Sequence, residues 1–247
     1  MKRKLAGPVL IVGARSDIGQ AVARAYAAEG ANLIFAARQV SSLAAERSDI
    51  ELRYSVAVEL IEYDLLEAEP ERLAADLATL PDTVVMMAGL LGDQDESAAQ
   101  PQVADLVMRT NFTAPARLLL ALASKFQARG SGTIIGVSSV AGDRGRGSNY
   151  IYGASKAGLT AFLSGLRNSL SATGVHVITV KPGFVRTRMT EQLKLPKHLT
   201  ATPEEVARAI VRAHATGKDV IYVRPVWRPI MALIRLLPEP VFKRSKL

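Results

Sequence analysis

The sequence predicts an α/β protein with a Rossmann-like, doubly wound parallel sheet of about seven strands, folded as a single domain. Three observations support this fold class. Aliphatic runs alternate with helical segments along residues 5–223, the runs are apolar at nearly every position, and the first run ends at a glycine-rich turn that opens a helix. Strands that are apolar on both sides belong to parallel sheets covered by helices on both faces.

Each element follows from a local pattern. The first strand is the run Val-Leu-Ile-Val at 9–12, which stops at Gly13, and the first helix keeps apolar residues at helical spacing up to Gly30. The other strands are predicted at residues 32–36, 56–63, 83–87, 133–137, 175–180 and 219–223. The principal helices are predicted at residues 17–30, 71–79, 101–129 and 149–172.

Composition excludes several classes of protein. The chain has 247 residues, of which 49% are hydrophobic and 22% charged, as is typical of a globular domain. It contains no cysteine, which excludes disulfides, a cysteine nucleophile, zinc–thiolate sites and iron–sulfur clusters. Its three histidines are far apart in the sequence, so we predict no metal site.

The net charge of +8 resides at the two ends of the chain. Residues 1–4 carry three positive charges, residues 224–247 carry a net five, and the charges between them balance. A nucleic-acid enzyme usually has a basic stripe over its body, so this distribution favours contact with a surface or membrane and no nucleic-acid partner. Neither a signal peptide nor a transmembrane run is recognisable, which predicts a cytoplasmic protein, with peripheral contact at the inner membrane face as a hypothesis.

The chain divides into a globular domain at residues 1–223 and a basic, apolar tail at residues 224–247. The tail contains a dense apolar run beginning near Trp227, and Arg228 and Arg235 lie seven residues apart on one face of a predicted helix. About 12 residues of helix reach only 18 Å or so, too short to cross a hydrocarbon core of ~30 Å. Two interpretations stay open: the tail lies in a membrane interface, or it packs over a ligand cleft or a neighbouring subunit.

The turn after the first strand carries the first candidate site. Residues 13–19 have the sequence Gly-Ala-Arg-Ser-Asp-Ile-Gly. Glycine allows the backbone to approach a pyrophosphate, and the N–H groups at a helix start favour its negative charge. This context predicts a dinucleotide site, whose candidate residues here are Gly13, Arg15, Ser16, Asp17, Ile18 and Gly19.

The end of the second strand indicates which dinucleotide is bound. An NAD site usually has a carboxylate here for the ribose 2′-hydroxyl, whereas this strand leads into Ala37 and Arg38. Arg38 and Arg15 suit a 2′-phosphate, which predicts NADP(H) as the cofactor, with NAD(H) as the alternative. Two solvated arginines would explain the same residues. Asp64, after the third strand, is either an acceptor for the adenine amino group or a helix N-cap.

The strongest chemical pattern is Tyr152 followed four residues later by Lys156, because the two share one face of a helix. That helix follows the fifth strand, which ends at Ser139, on the edge where open parallel sheets bind ligands. Asn111 lies inside the preceding helical region, where a buried polar residue needs a partner. A lysine cation one turn from a tyrosine, together with the charge of an oxidised nicotinamide, favours the phenolate and lowers the tyrosine pKa, so we expect Tyr152 to exchange protons with a substrate.

Together these motifs resemble the short-chain dehydrogenase/reductase family over residues 5–223. The matching residues are the turn 13–19, Asp64, Ala88, Gly89, Asn111, Ser139, Tyr152, Lys156 and the segment Pro-Gly-Phe-Val-Arg-Thr at 182–187. The resemblance implies that residues 1–223 form an NADP-binding domain. It further implies oxidation or reduction of an alcohol/carbonyl pair.

The resemblance also implies a role for each matching residue. Tyr152 is the proton donor in reduction, Ser139 hydrogen-bonds the substrate oxygen, and Lys156 holds the nicotinamide ribose. Asn111 belongs to a water relay behind Lys156, and Thr187 anchors the nicotinamide carboxamide. The cofactor contacts implied beyond the first turn are Arg38, Asp64, Ala88, Gly89, Tyr152, Lys156, Pro182, Gly183, Val185 and Thr187.

Family members of this kind form homodimers or homotetramers, and we expect the interface in the helical regions 101–129 and 149–172. Apolar residues recur there at helical spacing, a pattern that core packing explains as well. They include Leu118, Leu122, Phe162 and Leu166.

Three positions depart from the family pattern. Val12 stands where a threonine is usual, Asp17 replaces the middle glycine, and Met86-Met87 replaces a pair of asparagines. These changes remove polar groups near the cofactor but no catalytic group. We therefore expect them to affect cofactor affinity more than activity.

A narrower resemblance concerns the substrate. The segments 89–93, 152–159, 185–189 and 234–243 are similar to those of reductases that act on a 2-keto pentose carried on decaprenyl phosphate, with a separate flavin oxidase as partner. One alternative is a soluble 3-oxoacyl-type reductase, which shares the catalytic residues but needs no basic, apolar tail. Another is a non-enzymatic NADP sensor, in which the catalytic tyrosine or lysine would be lost.

The glycine-rich loop at residues 142–147 is the candidate substrate loop. Its Arg144 and Arg146 lie between Ser139 and Tyr152, in a position to meet a phosphate or diphosphate group. Three glycines allow the loop to adapt to a ligand. A solvated turn is equally consistent with this sequence.

Overall fold

The central feature of the fold is a parallel sheet of seven strands. The computed structural model describes residues 7–245, with residues 74 and 76 described by their backbone alone. The strands are β1 (Val9–Val12), β2 (Leu33–Ala37), β3 (Val58–Glu62), β4 (Thr83–Met86), β5 (Gly132–Val137), β6 (Val175–Lys181), β7 (Phe184–Val185), β8 (Thr200–Ala201) and β9 (Val220–Tyr222). The large sheet has the order β3-β2-β1-β4-β5-β6-β9, and β7 and β8 form a separate parallel pair. This architecture confirms the predicted single-domain Rossmann-like fold.

Helices cover both faces of the large sheet. They are α1 (Asp17–Ala28), α2 (Ala44–Tyr54), α3 (Pro70–Asp76), α4 (Gln94–Ala99), α5 (Pro101–Met108), α6 (Ala114–Arg129), α7 (Tyr150–Ser169), α8 (Pro203–Thr216), α9 (Trp227–Leu236) and α10 (Glu239–Phe242). One face packs against α1 and α8, whose Tyr26 and Ile210 are fully buried. The other packs against α6 and α7, whose Leu122 and Leu163 are fully buried. Burial on both faces is what strands without polar alternation require.

Local sequence signals set the ends of several helices. The Ser16 hydroxyl caps α1 by accepting a hydrogen bond from the Gly19 nitrogen at 3.0 Å. Thr202 and Glu205 form a capping box at the start of α8. The helix α6 ends at Gly130, which adopts a left-handed conformation with a φ of 74°.

The predicted strands of the large sheet agree with the observed ones to within one or two residues at each end. The pair β7 and β8 was not expected, because strands of two residues carry no periodic signal. The helical region predicted at 101–129 is continuous but contains a π-helical turn at Arg109–Thr113. The regular spacing of apolar residues predicts an uninterrupted α-helix and does not indicate this π-helical turn.

The apolar residues that suggested an oligomer interface belong to the core. Leu118 and Leu122 are fully buried beneath the sheet, and Leu166 is 9% exposed. Phe162 is partly buried and packs against the same core. The alternative explanation by core packing is therefore correct for these positions, and any interface must use the outer faces of the helices.

The tail folds back onto the domain through α9 and α10. Trp227 and Met231 are buried against Val140, with Phe184 partly buried beside them. The opposite side of α9 is exposed, including Leu233. Across the described part of the chain, no helix is both long enough and apolar enough to cross a membrane.

Candidate active site

A cavity of about 670 Å³ opens beside the point where the strand order reverses between β1 and β4. Open α/β sheets bind their ligands at such a switch point, at the carboxyl ends of the strands. The predicted site residues that line the cavity are Gly13, Arg15, Ser16, Asp17, Ile18, Arg38, Asp64, Ala88, Gly89 and Thr187. The structure thus brings together residues that follow β1, β2, β3, β4 and β6.

The first turn is shaped by close packing of the backbone. Gly13 has a φ of 88°, and a Cβ atom there would lie 3.0 Å from the Ala88 nitrogen. A Cβ atom on Gly19 would lie 2.7 Å from the Gly13 oxygen. The start of α1 lies in the cavity wall, where its free N–H groups favour an anionic group. These features fit the pyrophosphate of a dinucleotide.

Two arginines border the end of β2. Arg15 Nη1 donates to the Arg38 carbonyl oxygen at 3.2 Å and to Gln39 Oε1 at 3.1 Å. The Arg38 side chain is 66% exposed, with its Nη1 3.9 Å from an Asp64 oxygen. Asp64 accepts a hydrogen bond from the Leu66 nitrogen at 2.9 Å, so it caps a turn rather than a helix. Cationic groups therefore lie where the ribose of a dinucleotide would meet the sheet.

Asp17 joins the first turn to the segment after β6. Its carboxylate accepts hydrogen bonds from the Arg188 backbone nitrogen at 2.7 Å and from Arg188 Nε at 2.8 Å. Arg188 Nη2 also donates to the Arg15 carbonyl oxygen at 2.8 Å. Both partners line the cavity, next to Thr187. We call this pair, Asp17 and Arg188, the clasp; it neutralises the acidic residue that stands at the usual glycine position.

Asn111 is held by the π-helical turn at Arg109–Thr113. The side chain is fully buried, and its amide nitrogen donates to the Leu90 oxygen at 2.7 Å and the Val107 oxygen at 2.8 Å. Its Oδ1 accepts from the Leu90 nitrogen at 3.1 Å. These bonds satisfy the buried amide and fix its orientation.

Gly89 lies between Asn111 and Lys156. A Cβ atom on Gly89 would be 3.1 Å from Asn111 Oδ1 and 3.5 Å from Lys156 Nζ. Lys156 is 4% exposed, and its Nζ donates to the Val137 oxygen at 3.1 Å. Burial lowers the pKa of Lys156 to about 8. Because Gly89 has no side chain, only its backbone separates the cavity from the buried Asn111 and Lys156 side chains.

Tyr152 lies one turn from Lys156 on α7 and close to Ser139. Lys156 Nζ is 5.8 Å from the centre of the Tyr152 ring. Burial raises the pKa of Tyr152, and a hydrogen bond with Ser139 opposes that rise. The lowering expected from Lys156 together with an oxidised nicotinamide stays a prediction, because the charge of that ring is part of it. At neutral pH the phenol keeps its proton.

Some predicted residues lie outside the lining of the cavity. They are Gly19, Asn111, Ser139, Tyr152, Lys156, Pro182, Gly183 and Val185. The Ser139 hydroxyl accepts a hydrogen bond from the Ala141 nitrogen at 3.1 Å. A Cβ atom on Gly183 would fall 2.0 Å from the Trp227 ring, so this glycine is covered by the indole. Gly183 therefore contacts the tail rather than the cavity.

The two arginines of the candidate substrate loop have different surroundings. Arg144 Nη1 donates to the Ile234 and Leu237 carbonyl oxygens, each at 2.6 Å. Its Nη2 donates to Glu239 at 2.9 Å, so the guanidinium is engaged within the chain. Arg146 is partly buried, and burial lowers its pKa. Among the described residues its Nε has no hydrogen-bond partner, which makes Arg146 the better substrate candidate.

Two further residues shape the site, and the sequence patterns do not indicate a role there for either. Arg188 belongs to the clasp, and Trp227 covers Gly183. Arg188 is 171 positions from its partner Asp17, so no local pattern relates them. The available signal is the acidic residue at a usual glycine position, because a carboxylate beside an anionic ligand requires a cation.

Comparison with known proteins gives matches over most of the chain. A family model described as short chain dehydrogenase matches residues 8–197. An uncharacterized oxidoreductase of Mycobacterium tuberculosis is 40% identical over 243 residues, which cover 97% of each chain. The ketoacyl reductase HetN of a Nostoc species is 29% identical over 238 residues, which cover 92% of this chain and 82% of that one.

A solved structure shows the same fold. It is a short-chain dehydrogenase from Sphingobium yanoikuyae in complex with NADPH, and the two chains superpose with a TM-score of 0.80 at 26% identity. The match covers 94% of this chain and 97% of the other. The similarity therefore extends over nearly the whole length of both chains.

Proposed function

The chain belongs to the short-chain dehydrogenase/reductase family, as an oxidoreductase of alcohol and carbonyl groups, and we propose that it uses NADPH to reduce a keto group to an alcohol. The observation that carries the proposal is the hydrogen bond between Tyr152 and Ser139, one helical turn from Lys156. The Tyr152 phenol holds its proton at neutral pH, as an ordinary tyrosine does, and burial raises its pKa further. A protonated phenol next to a hydroxyl is suited to donate a proton to a carbonyl oxygen.

In this proposal the bound dinucleotide supplies a hydride, and the chain supplies the remaining chemistry. Tyr152 donates its proton to the substrate oxygen. Ser139 donates a hydrogen bond to the same oxygen and stabilises its developing negative charge. The Lys156 cation stabilises the phenolate that remains on Tyr152. Asn111 is fixed close to Lys156, at the place that the resemblance assigns to a water relay.

The preference for NADPH is supported by the end of β2. Arg15 and Arg38 border it, and its last residues Ala36 and Ala37 provide no carboxylate for a ribose 2′-hydroxyl. A guanidinium pairs with a 2′-phosphate by charge-assisted hydrogen bonds. The structurally similar dehydrogenase from Sphingobium yanoikuyae was solved with NADPH.

We further propose that the keto group is carried on a lipid, as a 2-keto sugar on a polyprenyl phosphate. The support is the outer face of α9, where Leu233 is 65% and Leu236 80% exposed. Arg228 and Arg235 are exposed on the same helix. A short amphipathic helix with cationic edges suits an anionic membrane surface. The basic residues at the chain termini, 1–4 and 246, lie outside the described residues.

A second candidate substrate is a 3-oxoacyl thioester. The observation that favours it is the 29% identity to the ketoacyl reductase HetN over 92% of this chain. Both candidates use the same four catalytic residues. They differ in partner, because a keto sugar would come from a separate flavin oxidase, whereas an acyl thioester needs neither that enzyme nor a membrane.

The experiment compares ketones and cofactors in one assay of cofactor oxidation. The purified protein is given NADPH or NADH with a 2-keto pentose on a polyprenyl phosphate or with acetoacetyl-CoA, and the Tyr152→Phe variant serves as the blank. Faster turnover of the lipid-linked sugar with NADPH supports the proposal. Turnover of acetoacetyl-CoA alone supports the second candidate, and oxidation of neither cofactor with either ketone contradicts both.

Membrane contact is tested separately by flotation with vesicles containing phosphatidylglycerol. The intact protein is expected to float at low salt, and Leu236→Glu is expected to weaken flotation. The control is Leu52→Glu, since Leu52 is 83% exposed on α2, far from the tail in sequence. If the intact protein stays unbound at low salt, the membrane role is wrong.

A further inference from the structure

The turn that follows Ser139 ends in a buried charged group. Asp143 Oδ1 lies 2.5 Å from Lys181 Nζ, and the Tyr222 hydroxyl donates to Asp143 Oδ2 at 2.8 Å. The side chains of Asp143 and Lys181 are 3% and 8% exposed. Lys181 ends β6 and Tyr222 ends β9, so this group fastens the turn to two strands of the sheet. None of the three lines the cavity.

The turn itself is tightly bonded between Ser139 and Asp143. The Gly142 nitrogen donates to the Ser139 oxygen at 3.1 Å, and the Asp143 nitrogen donates to the Val140 oxygen at 3.1 Å. A Cβ atom on Gly142 would lie 2.7 Å from the Ala157 nitrogen, on the helix that carries Tyr152. A displacement of Asp143 therefore moves the backbone that sets the position of the Ser139 hydroxyl.

The next residue, Arg144, fastens the same turn to the tail. Its Nη1 donates to carbonyl oxygens at the end of α9, and its Nη2 donates to Glu239. Its guanidinium also lies 3.8 Å from the centre of the Phe242 ring. The last carbonyls of a helix have no partner within it, so Arg144 satisfies groups that α9 leaves open.

The other end of α9 also contacts the active-site rim. Trp227 begins this helix and covers Gly183, which follows Lys181 and Pro182. Its Nε1 donates to the Leu199 oxygen at 3.3 Å. The tail is thus attached at both ends to segments that leave the carboxyl edge of the sheet.

We propose that Asp143 and Arg144 are positioning residues for Ser139, and that the tail acts through them as a structural part of the active site. A buried ion pair gains little stability over apolar packing, but it demands a defined geometry for its partners. Catalysis is sensitive to such geometry, because a displacement of about 1 Å can cost a hundredfold in rate. This proposal rests on the role of Ser139 in the proposed reduction.

The first test compares Arg144→Ala with Arg144→Lys and with the control Arg53→Ala. Arg53 is an exposed arginine of α2 with an ion pair to Asp49. With NADPH and whichever of the two ketones the wild-type protein reduces faster, Arg144→Ala is expected to lower kcat about 10- to 100-fold, with the Kd for NADPH within about twofold of wild type. Arg144→Lys is expected to recover most of the rate, because an ammonium has three donors for the carbonyls that Nη1 holds. The control is expected to be unchanged.

A second measurement does not depend on turnover. Hydrogen exchange followed by mass spectrometry is expected to show faster exchange at residues 139–143 in Arg144→Ala, and Tyr222→Phe is expected to show a smaller increase. Trp227 is the single tryptophan of the chain, so its emission reports whether α9 has loosened. A variant that simply fails to fold would lose exchange protection throughout and would leave Tyr222→Phe to decide.

The outcomes are distinguishable. Unchanged exchange at residues 139–143 in both variants overturns the positioning role, whatever the activity. A loosened helix with an unchanged kcat overturns the catalytic part of the proposal. If the wild-type protein reduces no ketone, the proposed function has failed, and the exchange data still decide whether the tail holds the turn.

Discussion

Burial moves the pKa values of two side chains on α7 in opposite directions. It raises that of Tyr152 and lowers that of Lys156 to about 8. Both changes favour the uncharged form of a group removed from water. At neutral pH the site therefore holds a protonated phenol and a lysine that is charged but close to its titration range.

Replacement of Tyr152 by phenylalanine is expected to remove the proton donor while keeping the ring volume. We expect kcat to fall about 10²- to 10⁴-fold with little change in the thermal midpoint. The matched control is Tyr150→Phe, because Tyr150 lies on the same helix and is 47% exposed. Steady-state kinetics check this, and activity of Tyr152→Phe within tenfold of wild type would contradict the assignment.

The pH dependence of reduction is expected to follow Lys156. Its charge is present below pH 8 and is lost as the pH rises through about 8, so kcat/KM should decline above that value. The free energy of unfolding should instead rise as the pH increases from about 8 to 10.5. In that range the unfolded chain binds a proton at Lys156 that the folded chain has lost, because the pKa is about 8 in the folded protein and 10.5 ordinarily. A value of kcat/KM that stays constant up to about pH 9.5 would show that the Lys156 charge is not needed for reduction.

Arg38 is expected to discriminate between the two nicotinamide cofactors. Arg38→Ala removes a guanidinium from the rim of the cavity, which should cost about 2 kcal/mol of binding to a 2′-phosphate. The values of kcat/KM for NADPH and NADH are measured together, with Arg53→Ala as the exposed control. Equal losses for both cofactors, or a wild-type preference for NADH, would refute the NADP(H) assignment.

At the scale of elements, the clasp connects the turn before α1 to the segment after β6. Asp17 is bonded to both the backbone and the side chain of Arg188, and both residues border the cavity. An acidic residue at this place would repel a pyrophosphate if it were unpaired. The clasp therefore explains why a departure from the family pattern is compatible with a dinucleotide site.

Weakening the clasp is expected to speed cofactor release. Arg188→Gln leaves the Asp17 carboxylate without its cation beside the pyrophosphate site, and the NADPH dissociation rate should rise, by only about fivefold because the Arg188 side chain is 71% exposed and solvent screens the pair. Stopped-flow displacement measures this rate. The control is Asp49→Asn, which weakens an ion pair on α2. An unchanged rate at both low and high salt would show that the clasp does not hold the cofactor.

At the scale of the whole molecule, the outer surface of the long helical region is the remaining candidate for self-association. The inner apolar positions belong to the core, whereas Leu120 on the outer face of α6 is 53% exposed. A leucine at such a place becomes buried when the helix face pairs with a second copy of the chain.

The protein is expected to sediment as a dimer or tetramer at micromolar concentration. Leu120→Glu should shift it toward the monomer by placing a charge in a buried interface. Leu52→Glu is the control, because Leu52 is exposed on α2 at another surface. A wild-type monomer in sedimentation velocity would contradict the expected interface.

Local patterns in the sequence were sufficient to predict the fold class and the identity of the candidate catalytic residues. Continuous apolar strands, glycine-rich turns and the Tyr152–Lys156 spacing are each contained in a few consecutive residues, so they can be recognised without a structure. The order of the strands in the family fold then places the ends of β1, β4 and β5 at one edge.

Only the tertiary structure decided what surrounds those residues. The rise in the Tyr152 pKa comes from burial, which depends on packing from several elements and not on the residues next to Tyr152 in the sequence. Asp17 meets a partner 171 positions away, and Arg144 meets the end of a helix 90 positions away. Burial and long-range contacts are properties of the packed chain, since they exist only once distant segments have been brought together by the fold.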